Sequence, residues 1–153
     1  MTNPFQDQRE FMLAAGQSIE GSNPEQYMLY NNLVTEEATE LFAAIREVQQ
    51  AADELQRHET QIPTHTVDDL IRASAHVAKE AIDVIVVLTG YLLSMGINPD
   101  LAWQAVHESN LSKLDPETGK PIYRKDGKVQ KPLTWKAPDM ERVVLQSWEN
   151  GGG

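Results

Sequence analysis

Apolar residues recur at three- and four-residue intervals along most of the chain, the spacing of one face of an α-helix. The clearest stripe consists of Val34, Ala38, Leu41, Ile45, Val48, Ala52 and Leu55. A second run, from Ala81 to Leu93, is apolar on almost every side. Strand-like alternation is scarce by comparison. The pattern predicts an all-α helical bundle.

Helix-capping signals divide this pattern into five helices. Asn23-Pro24 and Asn98-Pro99 each place a capping side chain before a proline at the first helical position. A capping box at Thr66-Val67-Asp68-Asp69 is predicted to open the third helix. The predicted helices cover about residues 5–16, 24–58, 66–95, 98–111 and 138–148, with a break over 59–65 and a small hairpin at 122–129. We expect one domain over 1–148 and a disordered tail over 149–153.

Composition narrows the functional classes. The chain has 153 residues and a formal net charge of −10, which disfavours general nucleic-acid binding. It has no cysteine, so disulfides and cysteine-type zinc sites are excluded, and a cytoplasmic location is expected. The longest apolar run is interrupted by Asp83, Thr89 and Gly90, so no membrane-spanning segment is expected. The apolar surplus on the two long helices favours a homodimer or homotetramer.

Two acidic clusters lie on the two long predicted helices. Glu36, Glu37 and Glu40 occupy the second helix, and Glu80 and Asp83 occupy the third. Residues three or four apart share a side of a helix, so antiparallel packing of these helices would bring the five carboxylates together. Oxygen ligands of high charge suit a hard divalent cation, Mg²⁺ or Mn²⁺. The sequence therefore predicts a metal site.

Asp83 carries most of this argument, because its apolar neighbours predict that it is buried or nearly so. A buried charge needs a compensating proton, cation or metal. The alternative is an ion pair with Arg46, Arg72 or Lys79, and the first cluster alone is more simply explained as a solvated helix face. If the acids do repel one another, Glu80→Gln should stabilise the metal-free protein.

A basic segment follows the acidic helices. Residues 110–136 contain seven basic and three acidic side chains, a local net charge of 7 − 3 = +4. The basic residues are Lys113, Lys120, Arg124, Lys125, Lys128, Lys131 and Lys136. An acidic metal site followed by a basic segment suggests a polyanionic ligand held between cations, although a solvated, charged loop is the better explanation for any single lysine.

The order of these motifs is similar to that of a known enzyme group. The pattern E-E-x-x-E, a spacer of about forty residues, E-x-x-D, then Gly96-Ile97-Asn98-Pro99 and Asn110-Leu111-Ser112-Lys113, resembles the all-α nucleoside triphosphate pyrophosphohydrolases. These include the MazG-like proteins, the phosphoribosyl-ATP pyrophosphohydrolase-like group and the dimeric dUTPases. The resemblance extends from about Glu25 to Asp139.

The resemblance implies Mg²⁺-dependent cleavage of a nucleoside triphosphate to a monophosphate and pyrophosphate, with two or more metal ions per site. Glu37, Glu40, Glu80 and Asp83 would be metal ligands, and Glu36 a further ligand or the group that activates water. Substrate would be bound by Asn110, Lys113, Lys128 and Lys131. Tyr123 is a further candidate from its chemistry, because an aromatic ring can stack on a base.

The long spacer and the extra terminal segments leave base specificity open. Forms with such an arm look like phage or bacterial nucleotide-pool enzymes, which favours a purine substrate such as dGTP; a dUTP- or dCTP-directed enzyme is the alternative. A carboxylate-bridged di-iron bundle is disfavoured, because no histidine has a glutamate three residues before it. A non-enzymatic acidic helical adaptor is the rival from another class.

Overall fold

The computed structural model describes residues 3–57 and 63–151, and within these ranges the chain forms five α-helices and no β-strand. The helices are α1 (Pro4–Ala14), α2 (Pro24–Arg57), α3 (Thr64–Ser94), α4 (Pro99–Leu111) and α5 (Met140–Gly151). The all-α prediction is confirmed. The predicted end of the second helix at His58, and most of the predicted break after it, lie outside the described residues.

The asparagine-proline signals mark helix starts as predicted. The Asn98 side chain accepts hydrogen bonds from the backbone N–H groups of Asp100 and Leu101. Asn23 accepts one from the N–H of Gln26 at 3.1 Å. Each bond satisfies an N–H that has no partner inside the helix.

The predicted capping box at Thr66 is wrong. Helix α3 already begins at Thr64, directly after the extended Pro63, and no side chain caps it. Proline disfavours a helical conformation in the residue before it but permits one after it, so it sets the start without a box. Thr66 therefore lies inside the first turn, where its hydroxyl oxygen is buried without a hydrogen-bond partner among the described residues.

The C-terminal third is an extended arm followed by a helix. The predicted hairpin is reduced to one isolated bridge, Tyr123 with Val129, around a turn at Gly127, whose φ of +79° favours glycine. Helix α5 continues to Gly151, so the predicted disordered tail does not begin at Glu149; residues 152–153 lie outside the described residues. The last turns are held because the Trp148 indole N–H donates to the carbonyl of Met95 at 3.1 Å.

Helices α2 and α3 form the central hairpin of the fold. Gln26 on α2 donates to Ser94 on α3 at 2.8 Å, and Tyr30 packs against Gly90. Contacts therefore pair early α2 residues with late α3 residues, so the two helices are antiparallel. Helix α1 covers one end of this hairpin, where Met12, Tyr30, Val87 and Leu93 make one core cluster. Ile97, Ala102 and Val143 make a second cluster between α4 and α5.

Tyr30 is the polar anchor of the first core cluster. The side chain is 3% exposed, its hydroxyl donates to Gln17 at 2.8 Å, and it accepts from Gln8 at 3.4 Å. Burial raises the pKa of the Tyr30 phenol above its ordinary value of 10.0. A raised pKa in the folded state means that the contribution of Tyr30 to stability is complete below pH 10 and is lost as the pH rises through the folded pKa.

Tyr30→Phe should therefore cost about 1 to 3 kcal/mol near neutral pH, because Gln8 and Gln17 lose a buried partner. The variant should also lose less of its remaining stability above pH 10 than the wild type does. Urea unfolding measured at pH 7 and above pH 10 checks both effects. Tyr123→Phe is the matched control, since Tyr123 is 63% exposed. Parallel alkaline losses in wild type and Tyr30→Phe would contradict the assignment.

Large apolar side chains remain on the outside of the long hairpin. Phe42 is 61% and Ile71 is 62% exposed, and Ile45 and Val67 are also exposed. Among the described residues, no single helix is long and apolar enough to cross a membrane, and only α3 and α4 taken together, bent by 113°, meet that test of length and composition.

Candidate metal centre

The antiparallel hairpin brings the two acidic clusters to the same level. Glu37 and Glu40 on α2 face Glu80 on α3, and one carboxylate oxygen from each lies within 4.8 Å of the other two. Glu80 is 2% exposed, Glu37 is partly buried and Glu40 is open to solvent. The site thus has a buried floor and an accessible side.

Glu37 has no partner for one of its oxygens. Its Oε2 atom is buried and accepts no hydrogen bond from any described residue. Burial, and then the negative charge of Asp83 and Glu40, raise the pKa of the Glu37 carboxyl above its ordinary value. A buried, unpaired carboxylate oxygen beside other carboxylates destabilises the folded protein unless a cation binds it.

Glu80, rather than Asp83, is the buried acid of α3. The Asp83 side chain is 34% exposed against 3% for Glu80, so the prediction that Asp83 is buried is wrong. The reason is that its apolar neighbours Ile82, Ile85 and Val86 are themselves exposed to solvent. Asp83 therefore lies at the edge of the packed face of α3 and not beneath it.

A lysine pairs with the acids of α3. The Lys79 ammonium lies 3.0 and 3.1 Å from the two Glu80 carboxylate oxygens and 2.9 Å from Asp83 Oδ2. Asp83 first, and then Glu80, raise the pKa of Lys79 well above its usual range by these hydrogen bonds. Of the ion pairs considered from the sequence, this is the one that forms. It neutralises part of the acidic group, while Glu37 keeps its unpaired oxygen.

His76 also contacts the Glu80 carboxylate. Its Nε2 atom lies 3.1 Å from Glu80 Oε1, and its Nδ1 atom lies 2.8 Å from Glu47 Oε2. The hydrogen bond with Glu47 is the main reason that the pKa of His76 is raised. No role was assigned to His76 from the sequence. The signal was available, because residues four apart on a helix are neighbours.

Glu36 lies outside the three-carboxylate group. It is exposed and lines a shallow groove with Asn32, Thr35, Thr39 and Glu40. Glu36 and Glu37 are adjacent in a helix and so point about 100° apart. Its assignment as a ligand or as the water-activating group stays a prediction, with Glu40 as its nearest link to the site.

The predicted substrate-binding residues lie on α4 and the arm. Lys113 donates to the Asn110 side chain at 2.6 Å, so these two form one polar unit at the end of α4. Tyr123, Lys128 and Lys131 are exposed on the arm, and Lys131 lies 3.6 Å from the centre of the Trp135 ring. No hydrogen bond or ion pair between described residues joins any of the five to the carboxylates. Their substrate roles stay predictions.

The donor set fits a divalent cation. An ion bound at about 2.1 Å keeps its ligand oxygens within about 4.2 Å of each other, and a larger ion allows slightly more. A spread of 4.8 Å among Glu37, Glu40 and Glu80 therefore needs only small side-chain adjustments. The unpaired Glu37 oxygen supplies an acceptor that a cation would satisfy.

Beside the acids, the α2–α3 hairpin also forms an open groove of about 520 Å³. Its lining is Glu47, Gln50, Ala51, Asp69, Arg72, Ala73 and His76. His76 therefore belongs both to the lining of the groove and to the contacts of Glu80.

A comparison with protein families matches residues 8–110 to the family described as phosphoribosyl-ATP pyrophosphohydrolase. The match spans both acidic clusters and ends at Asn110, before the basic arm. A search of curated proteins finds no match to this chain.

Proposed function

The chain belongs to the phosphoribosyl-ATP pyrophosphohydrolase family, and we propose that its substrate is a free (deoxy)nucleoside triphosphate. The family acts as a pyrophosphohydrolase on a triphosphate-like nucleotide. With Mg²⁺, this chain would hydrolyse its substrate to the monophosphate and pyrophosphate. Mn²⁺ should be able to replace Mg²⁺. The observation that carries the metal part of the proposal is the buried, unpartnered oxygen of Glu37 within reach of Glu40 and Glu80.

In this proposal Glu37, Glu40 and Glu80 hold the metal, and Asp83 joins them once its carboxylate is free. When bound, Mg²⁺ would neutralise phosphate charge and lower the pKa of a coordinated water. Glu36, exposed on the neighbouring face of α2, orients the attacking water and takes its proton. The water oxygen bonds to the α-phosphorus as the bond to the α–β bridging oxygen breaks, and pyrophosphate leaves with that oxygen.

The groove beside His76 gives the nucleoside a place to lie. Its volume of about 520 Å³ is within the range of small-molecule sites, and His76, which contacts Glu80, is part of its lining. Lys113, Lys128 and Lys131 would neutralise the phosphates from the basic arm. Tyr123 is exposed and available for stacking on a base. We favour a purine deoxynucleotide such as dGTP, with dUTP and dCTP as the alternative substrates.

We also propose that the enzyme is a homodimer or homotetramer. Phe42, Ile45, Val67 and Ile71 leave an apolar surface on the half of the hairpin that α1, α4 and α5 do not cover. Exposed apolar surface of this kind is typical of an association face.

The experiment that tests the function is a panel of ribo- and deoxynucleoside triphosphates together with phosphoribosyl-ATP, each with Mg²⁺, Mn²⁺ or chelator. Products are resolved by phosphorus NMR. We expect monophosphate and pyrophosphate in a 1:1 ratio, only with metal, and fastest with a purine deoxynucleotide. Release of inorganic phosphate instead of pyrophosphate would contradict the proposed bond cleavage. Turnover of phosphoribosyl-ATP alone would overturn the proposed substrate, and no turnover with a melting temperature indifferent to Mg²⁺ would favour the adaptor.

A further inference from the structure

Lys79 occupies the oxygens that a metal at this centre would need. Its ammonium bridges both oxygens of Glu80 and one oxygen of Asp83, at 2.9 to 3.1 Å. His76 contacts Glu80 Oε1 as well, at 3.1 Å. Both Glu80 oxygens are therefore engaged, and Glu80 becomes a metal ligand only by giving up part of this arrangement.

Of the two neighbours of the Glu80 carboxylate, Lys79 and His76, Lys79 is the one that can leave. The Lys79 side chain is 60% exposed, so its ammonium reaches water by rotating its stem. The His76 ring is held on its other side by Glu47 at 2.8 Å. Two cations that share the same carboxylate oxygens also repel each other at short range. Metal binding thus favours release of Lys79 with retention of His76.

We propose that Lys79 is the internal counter-ion of the metal-free site and exchanges with the divalent cation. In the metal-free protein, Lys79 neutralises Glu80 and Asp83; when the metal binds, the ammonium swings out and frees both carboxylates. This inference rests on the metal site of the proposed function. It assigns to Lys79 a positioning role that goes beyond the ligand set, because the lysine sets how strongly the acids attract a metal and how they are held without one.

The test is a calorimetric titration of the metal-free protein with Mn²⁺, compared between wild type and Lys79→Met. Because the variant lacks the competing ammonium, its Kd for Mn²⁺ should fall about three- to tenfold, the scale of one or two partly exposed ion pairs. Its melting temperature in chelator should be lower than that of the wild type, and its gain on adding Mn²⁺ larger. Lys120→Met is the control, since it makes the same charge change on the exposed arm.

A second measurement observes the exchange in the wild-type protein. The ¹⁵N–¹H signal of a lysine ammonium is detectable when hydrogen bonds slow its exchange with water, and Lys79→Met identifies the Lys79 signal. Saturating Mg²⁺, which is diamagnetic, should broaden or remove that signal and leave those of the other lysines. This readout does not require the variant to fold.

The outcomes separate this inference from the function on which it rests. An unchanged Lys79 signal in saturating Mg²⁺, or a Kd of Lys79→Met equal to or weaker than that of Lys120→Met, overturns the exchange while the metal site stands. Absence of Mn²⁺ binding in wild type and both variants overturns the metal site and the exchange together.

Discussion

Glu37→Gln is expected to lower metal-dependent kcat/KM by about 10²- to 10³-fold, the usual cost of removing one preorganised electrostatic group from an active site. The same substitution should raise the melting temperature of the metal-free protein by about 2 to 4 °C. The reason is that Glu37 Oε2 is buried without a partner and faces Glu40 and Glu80. Replacing its charge with an amide removes repulsion and adds a donor toward neighbouring carboxylates. Steady-state kinetics and thermal unfolding in chelator measure the two effects.

Glu25→Gln is the control for Glu37→Gln, because it removes the same charge from an exposed position in the first turn of α2. It should leave activity unchanged. A variant Glu37→Gln that retains wild-type kcat/KM, or that melts lower than wild type in chelator, would remove Glu37 from the proposed ligand set.

Glu80→Gln is the informative comparison, because its effect on the stability of the metal-free protein should be opposite to that of Glu37→Gln. Glu80 contacts both Lys79 and His76, so its neutralisation removes the buried negative charge that both groups face and should destabilise the metal-free protein. These contacts reverse the expectation drawn from the sequence that Glu80→Gln would be stabilising. Both variants should lose activity, since each removes the negative charge of a proposed metal ligand.

Local signals in the sequence were sufficient for the helices and for the approach of the clusters. Asn98 and Pro99 determine a helix start through the backbone of the next few residues. The spacing of Glu37 and Glu40 places both on one side of α2, and antiparallel packing then brings Glu80 to them. These features depend on neighbours in sequence, or on one pairing of two long helices.

Burial within the site was not predictable in the same way. Apolar neighbours suggested that Asp83 was covered, but which apolar face of α3 meets α2 is decided by packing along the whole hairpin. If α2 were turned about its axis by one residue, Glu36 and Glu37 would exchange environments. The arm also depends on contacts between residues far apart in the sequence. The Ser109 hydroxyl donates to the carbonyl of Lys136 at 2.8 Å, and no local sequence pattern predicts that bond.

Gly90→Ala is expected to destabilise the protein by about 1 to 3 kcal/mol or more, the cost of overpacking a core. A methyl group at position 90 would lie 2.7 Å from Tyr30 Cδ1 and overlap the rest of that ring edge. Urea unfolding measures the loss. In a helix without such a neighbour, glycine to alanine stabilises by about 0.5 to 1 kcal/mol, so the sign of the effect reports the contact.

Gly151→Ala supplies that comparison, because Gly151 is also helical and, among the described residues, its added methyl would meet only Gly21 N at 3.6 Å. It should be neutral or stabilising. The double variant Tyr30→Leu with Gly90→Ala should be less destabilised than the sum of the single changes, since the smaller side chain removes the overlap. Additive losses in the double variant would show that Gly90 is required for another reason.

The contact between Tyr30 and Gly90 should also influence the geometry of the proposed metal centre. Glu37 lies about two helical turns after Tyr30 on α2, and Asp83 lies about two turns before Gly90 on α3. Close approach of the helices at Gly90 therefore fixes both their separation and their relative height at the carboxylates. A Gly90→Ala protein that still folds should bind Mn²⁺ more weakly, although position 90 touches no ligand. Unchanged Mn²⁺ affinity in a folded but destabilised variant would show that the carboxylates are positioned independently of this contact.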